Sequence, residues 1–399
     1  MNIVLLVHPN FLASKSMPRF ARMIAEGMRT RGHCVDEFTA QPLFYKLPVP
    51  LRLRKWLGYI DQFIVFPLQM RWRLRRLPAD ALFVFSDQAL GPWVPLVAKR
   101  PHAIHVHDFM ALRSALGEFS ENPTGWTGRQ YQRLIRRGFE QGRVFVSGSE
   151  KTRSDLHRFL PKGPDVSTVV HHGLNFPFRR MSQAECATTL SPAGLTLPPS
   201  GFLLHVGGNQ WYKNRAGVLE IYQAYVTTTS RPLPLWMVGD SPTPLMREMA
   251  ERMAGKGEVR FLTGLFNEAV CAAYSSARLM LFPSLAEGFG WPIAEAMACG
   301  CVVLTTDEAP MTEVGGDVAF YIPRRSNGTA AEWADQAAKR VAAVLDLLSP
   351  AALQKLRQAG FSQAAKFDKE RTLDAYERIY QQALGAHKSA AKLPNLTRT

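Results

Sequence analysis

The sequence predicts an α/β protein of two doubly wound domains, each a parallel sheet flanked by helices. At 399 residues the chain exceeds one ordinary core, because domains usually run about 100–200 residues. Short apolar runs alternate with helical patterns in both halves, the rhythm of parallel sheets. Between the halves, residues 176–201 hold Pro177, Pro192, Pro198 and Pro199, the punctuation of a domain boundary. The expected organisation is a first domain over 1–178, a linker over 179–201 and a second domain over 202–366. A helix over 367–386 and a flexible tail over 387–399 follow.

The elements justify this in order. Ile3 to Val7 is a short apolar run and reads as a buried parallel strand. A helical pattern then starts at Pro18 and stops at Gly32 (Phe20, Met23, Ile24, Met28). Further strands are expected at Ala81–Phe85, Ala103–His107, Val144–Ser147 and Ser167–His171. The second half restarts with Phe202–Val206 and continues with Leu235–Val238, Val259–Leu262, Leu279–Phe282, Val302–Thr305 and Ala319–Ile322. Helical stretches lie between these strands. Ligands of open parallel sheets bind outside the carboxyl ends of the strands, so residues just after strands count most, and a cleft between two such domains is the default site.

Composition sets the class. Apolar residues make up 46% and charged residues 20%, which excludes wholesale disorder. The net charge of +15 is uneven: residues 1–178 hold 25 Lys/Arg against 13 Asp/Glu, leaving +3 for the remainder. The first half therefore carries a basic surface or meets an anionic partner. Five scattered cysteines do not suggest a disulfide framework or a zinc site, and Cys299-Gly-Cys301 reads as a buried small-residue turn. The start lacks a basic region before its apolar run, and no stretch is long enough to span a bilayer. The expected location is cytoplasmic, or peripheral at the inner face of the cytoplasmic membrane. Asn327 and Asn395 head glycosylation patterns that carry no meaning there.

Two segments carry chemistry. Pro283 to Gly300 follows a strand and opens a helix. Glu287 stands in the turn, Gly288 and Gly290 allow close backbone approach, Pro292 suits a first helical turn, and Glu295 lies inside that helix. Free N–H groups at a helix start favour phosphate or sugar oxygens, and two carboxylates suit ribose and sugar diols. The bland alternative is a turn with one acid at a helix start and one solvated acid. His205 to Arg215 is the second strand–loop–helix segment, with Lys213 able to meet a diphosphate and Asn214 placed as a helix cap. It is neither a Walker loop nor a G-x-G-x-x-G turn.

Together these segments resemble the family 4 retaining glycosyltransferases of the GT-B fold. The resemblance rests on Val206-Gly-Gly…Lys213-Asn214, Met237-Val-Gly-Asp240, Phe261-Leu-Thr-Gly264 and Glu287-Gly-Phe-Gly-Trp-Pro…Glu295-Ala-Met-Ala…Gly300, in that order. His107-Asp108, Asp155-Leu156 and His171-His-Gly-Leu174 extend it more loosely into the first half. The resemblance implies two Rossmann-like domains facing across a cleft, the first taking the acceptor, the second the donor, and a closing helix that returns to the first. It implies a nucleoside-diphosphate sugar as donor substrate, a glycan or lipid-linked acceptor, no other cofactor and no metal. Glu295 would hold ribose hydroxyls and Glu287 the sugar near its anomeric centre. Phe289 and Gly290 would offer backbone N–H groups beside Gly288. Lys213 would serve the diphosphate, Thr263, Gly264 and Leu265 the base, and His107 the sugar, with Asn209 among the donor-binding residues. Catalysis is thus assigned to His107, Glu287 and Lys213. D-x-D is absent, in keeping with side-chain cations doing the work of an ion.

The chain departs from the family in two places. The Arg often found five residues before the Lys is Gly208 here, which leaves Arg215 or another residue to meet the diphosphate. The first loop, often glycine-rich, reads Ser14-Lys15-Ser16.

The densest charge lies at Lys46–Arg76: eight bases against Asp61, interleaved with Trp56, Tyr59, Phe63, Phe66 and Trp72. Arg52, Arg54, Lys55, Arg71 and Arg73 would form an acceptor or membrane face on anionic lipid. The alternatives are two surface helices packed on the sheet with solvated arginines, and, least favoured, nucleic acid, for which no module is present. For function, an epimerase or a non-catalytic binder of the same fold stays open beside transfer.

Overall fold

The computed structural model describes residues 1–11, 16–325 and 330–392. Ser14, Lys15, the side chain of Ser16, Asn327 and Asn395 lie outside the described residues. Two compact units are present: Met1–Asn175 with Lys369–Thr399, and Phe176–Asp368.

The first unit holds six parallel strands, β1 (Asn2–Leu6), β2 (Cys34–Phe38), β3 (Leu82–Phe85), β4 (His102–Val106), β5 (Val144–Ser147) and β6 (Val166–Val169), in the order β2-β1-β3-β4-β5-β6. β1, β3, β4 and β5 are almost wholly buried, as strands covered on both faces must be. β2 is absent from the sequence expectation. It is an edge strand reading Cys-Val-Asp-Glu-Phe, with one residue fully inside, so it lacks the apolar run that marks its neighbours. The Lys369–Lys392 helix packs on this unit through Leu373, Tyr376, Ile379 and Tyr380. It begins two residues later than expected and runs through much of the stretch taken for a flexible tail.

The second unit holds β7 (Leu203–Gly207), β8 (Leu235–Gly239), β9 (Val259–Thr263), β10 (Leu279–Phe282), β11 (Val303–Thr306) and β12 (Phe320–Ile322). All are parallel, in the order β12-β11-β10-β7-β8-β9. Each lies within one or two residues of its sequence expectation. The linker expectation needs correction: Gln183–Leu190 is a helix with a Ser182–Glu185 capping box, and Cys186 and Leu190 are buried. Arg180 reaches Ser275 O at 3.1 Å, which ties this segment to the second unit. Cys299 and Cys301 are both buried.

The two strand orders place a switch point in each sheet. The chain leaves β1 toward β2 and returns on its other side at β3. It likewise leaves β7 toward β8 and returns at β10. Ligands of open α/β sheets bind at such points, beyond the carboxyl ends of the strands.

Candidate active site

β7 and β10 are neighbours, pairing Leu203 with Leu279 and Leu204 with Met280. Their following loops therefore emerge side by side at the second switch point. The β7 loop delivers Lys213 and the β10 loop delivers Glu287. Lys213 Nζ donates to Glu287 Oε1 at 2.7 Å, and Ser284 Oγ donates to the same oxygen at 2.8 Å. The two side chains are only 14% and 7% exposed. The ammonium also stands 4.9 Å from the Phe282 ring centre and 5.3 Å from that of Tyr212, inside cation–π range.

Cross-braces fix the two loops. Leu285 N donates to Tyr212 O at 2.7 Å, and Asn214 Nδ2 donates to Pro283 O at 2.9 Å. Asn214 was expected to cap the following helix. Instead it sits left-handed at φ 51, makes no side-chain cap bond, and uses its amide across to the other loop. Asn is one of the few residues that tolerates this conformation. Below the pair, His205 Nδ1 donates to Leu281 O at 2.9 Å. Burial first, then the nearby cations, push its pKa down to about 3, so this imidazole is neutral beside Lys213.

Glu295 sits on the Trp291–Ala298 helix, which starts from Gly290 at φ 98 with Pro292 in its first turn. Tyr274 OH, from the neighbouring Asn267–Ser276 helix, donates to Glu295 Oε2 at 3.0 Å. Burial first, with the Glu295 charge adding to it, drives the phenol pKa well above its usual value, so Tyr274 stays a donor. The arrangement holds one carboxylate oxygen of Glu295 on a fixed donor. Gly288 is half-buried, and Phe289 and Gly290 are buried, at the entry to this helix.

The remaining expected donor residues divide. Thr263, which ends edge strand β9, and Gly264 after it are exposed, and Leu265 is half-buried. Asn209 is tied to the loop after β8: its N donates to Asp240 Oδ2 at 3.0 Å and its Nδ2 to Ser241 O at 2.8 Å, while its Oδ1 accepts from Arg215. Arg215 is buried and also donates to Asp240 O at 2.8 Å; burial lowers its pKa. It braces the loop through Nη1, while its Nε and Nη2 are buried without a hydrogen-bond partner among the described residues. A β-carbon at Gly208 would lie 2.6 Å from both Asp240 Oδ2 and Gln210 Oε1, so these side chains crowd any larger residue there.

In the first unit, His107 departs from expectation. Its ring lies inside, edge-on to Phe20 at 4.5 Å. Nε2 faces Ser86 O at 2.9 Å and must donate, so Nδ1 accepts from His172 Nε2 at 3.2 Å. Both nitrogens are engaged within the unit, and burial holds the pKa down. The sequence reading missed a different pair. His8, just past β1, and Asp87, just past β3, stand at the first switch point with Nδ1 and Oδ2 2.9 Å apart. Asp87 is buried. Its contact with His8 overcomes the burial penalty and lowers its pKa. Their position just after strands was the available signal.

On Leu51–Leu74, Arg52, Lys55, Arg71 and Arg73 are exposed, while Arg54 is half-buried over the Tyr45 ring. Among the described residues, no group of three or more His, Cys, Asp or Glu is arranged to hold a metal ion, and no helix is long and apolar enough to cross a membrane.

The model of glycosyl transferases group 1 matches residues 201–349, which contain both loops. This stretch is a group 1 glycosyltransferase domain. Within this domain lie Lys213, Glu287, Tyr274 and Glu295. Among relatives, O-antigen chain mannosyltransferase B of Escherichia coli is 27% identical over 194 residues, 48% of this chain and 50% of that protein. N-acetyl-alpha-D-glucosaminyl L-malate synthase of Bacillus anthracis is 27% identical over 259 residues, 63% and 62% of the two chains. The matches thus span about half to three fifths of these relatives. Sucrose-phosphate synthase from Thermosynechococcus elongatus superposes with TM-score 0.69 at 17% identity, covering 96% of this chain and 99% of that one. Anabaena HepE in complex with UDP and glucose gives 0.65 at 14% identity, covering 98% and 100%. The fold of the chain is accordingly GT-B, with two Rossmann-like units.

Proposed function

We propose that the protein is a retaining glycosyltransferase. It moves a hexose-type sugar from a nucleoside-diphosphate sugar to a glycan or lipid-linked acceptor, in the making of a polysaccharide or cell-envelope glycan. The observation that carries this reading is the Lys213–Glu287 pair at the β7/β10 switch point, beside a Glu295 held by Tyr274, within a group 1 domain. The hexose reading draws support from a relative named as a mannosyltransferase.

The chemistry follows from the geometry. Glu295, steadied on one oxygen by Tyr274, accepts from the ribose hydroxyls with the other. Lys213 rests on Glu287 until a diphosphate offers a stronger anion; it then turns to the leaving group, and Glu287 is released toward the sugar. As the bond to the anomeric carbon breaks, negative charge gathers on the diphosphate. Lys213 and the N–H groups entering the Trp291–Ala298 helix stabilise that charge as it forms, so no metal ion is needed. The neutral His205 beneath them neither competes for nor repels the anion. The acceptor is taken by the first unit, whose own switch point carries His8 and Asp87. The donor phosphate takes the acceptor proton.

Incubation with nucleotide sugars tests this. A transferase releases nucleoside diphosphate, slowly to water and faster to acceptor; an epimerase makes an isomeric sugar, and a binder makes nothing. Glu287→Ala, Glu295→Ala and Lys213→Ala each abolish release in a folded protein. Near-normal turnover in all three would sink the assignment.

A further inference from the structure

We propose that the Leu51–Leu74 helical segment and the loop before it form a docking face for the surface of an anionic lipid bilayer. The proposal gives the lipid-linked acceptor reading a physical surface, yet it stands on separate residues.

Three stretches make one helical rod: Leu51–Ile60, the wider π turn Asp61–Val65, and Phe66–Leu74. One side is anchored. Asp61, Gln62, Phe66 and Met70 are buried. Trp93 Nε1 donates to Gln62 O at 2.8 Å, and the Phe66 and Trp93 rings lie 4.0 Å apart. The opposite side carries Leu53, Trp56, Ile64, Leu68 and Trp72, all exposed, with Trp56 at 50%, Leu68 at 59% and Trp72 at 52%. Residues spaced by four drift by about 40° per step around an α-helix of 3.6 residues per turn. The wider π turn offsets that drift and keeps Ile64, Leu68 and Trp72 in line with Leu53 and Trp56.

The loop before the rod adds to the same patch. Asp61 accepts from Phe44 N and Tyr45 N at 2.9 Å each, which pins the segment carrying the exposed Leu43, Phe44 and Leu47. Eight of the 14 exposed large hydrophobics among the described residues fall between Leu43 and Trp72. Such a concentration marks an interaction surface, not chance exposure.

Charge names the occupant. From Gln41 to Ala79 the only acid is Asp61, and it is buried and turned to the loop. Lys46, Arg52, Lys55, Arg71, Arg73, Arg75 and Arg76 are exposed. Arg76 lies over the Trp72 ring at 3.7 Å, an apolar plate with a cation beside it. Tryptophan at the headgroup level and bases against anionic lipid are the pattern of an interfacial helix. A second copy of this chain fits poorly, because a self-complementary contact would bring these bases together without an acid.

Co-sedimentation of the full chain with vesicles tests the proposal. The chain binds vesicles containing phosphatidylglycerol at low salt, binds pure phosphatidylcholine vesicles at least tenfold more weakly, and is released at 0.5 M salt as charge is screened. Replacing Arg71, Arg73, Arg75 and Arg76 by Gln weakens binding at least about thirtyfold. Trp56→Ser with Trp72→Ser weakens it at least about tenfold and abolishes the blue shift of tryptophan emission on vesicles. Absence of binding to anionic vesicles at low salt, binding unmoved by both variants, or self-association that the tryptophan variant abolishes in place of vesicle binding would each overturn it. Nucleotide-sugar stabilisation of the wild-type protein, read separately, tests the transferase reading. Vesicle binding without that stabilisation would uphold the docking face and sink the transferase, and the converse result would do the reverse.

Discussion

The Lys213–Glu287 pair makes a prediction that separates its structural role from its chemical one. Lys213→Met keeps an aliphatic stem against Phe282 and Tyr212 but removes the ammonium. Glu287, 7% exposed, then keeps the Ser284 hydroxyl as its donor but loses its counter-charge. Breaking a buried ion pair by removing one partner costs about 3–5 kcal/mol. Lys213 is 14% exposed, so water softens the loss and about 2–3 kcal/mol is expected. For a unit of this size each kcal/mol shifts the melting temperature by about 2–4 °C, so the drop is about 5–10 °C. Glu287→Gln strands the ammonium instead and is also destabilising. The double variant removes both charges and regains most of the loss, so the two single effects sum to at least about 1.5 kcal/mol more than the combined one. Nucleoside diphosphate release, by contrast, stays abolished in all three. The assays are thermal unfolding followed by tryptophan emission and nucleoside diphosphate release from the cognate sugar donor. A Lys213→Met protein that melts with the wild type, or a double variant whose losses simply add, would refute the reasoning.

Other expectations follow from single contacts. Tyr274→Phe keeps the ring and removes one hydrogen bond to a carboxylate, worth about 1.5–3 kcal/mol; the Km for donor rises about tenfold while kcat changes little, measured by steady-state kinetics. Gly239 has φ 148, and a β-carbon there would run into Gly207 O; Gly239→Ala lowers the melting temperature by about 10 °C or more through that collision. His105 and His205 both have pKa values pushed down to about 3 by burial. An unfolded His titrates near about 6.5, so below that pH the unfolded chain binds protons the native one refuses. Their contribution is complete above about pH 6.5 and falls as the pH drops toward 3, each losing about 2 kcal/mol by pH 5. His205→Asn flattens that slope for the second unit, seen in melting temperatures between pH 5 and 7.

Much of this was legible because of where the strands lie. β7 and β10 are covered on both faces, so β10 is a continuous apolar run and only His205 interrupts that of β7, and the segments after them could be read directly for Lys213, Glu287 and Glu295. Edge strand β2 carries Asp36 and Glu37 and left no such run. The Ser182–Glu185 capping box was present in the sequence, but the prolines around it drew the reading toward a linker. The partners were the least visible. Tyr274 and Asn214 act on residues that the packing of the second unit brings to them, over separations of 21 and 69 positions. His107 shows the opposite difficulty: its place after a strand pointed outward, and only the packing of Phe20 and His172 shows the ring turned in. The face on Leu51–Leu74 was readable as charge with aromatics, whereas its alignment depends on a π turn that no periodicity announced.

Calorimetric titration with UDP-, GDP- and ADP-hexoses tests the central claim, that the loops after β7 and β10 grip an activated sugar. One of these donors binds the wild-type protein at a single saturable site, and Glu295→Ala and Lys213→Ala each weaken that binding at least tenfold while the protein stays folded. No binding at millimolar donor, or binding that neither substitution alters, would contradict it.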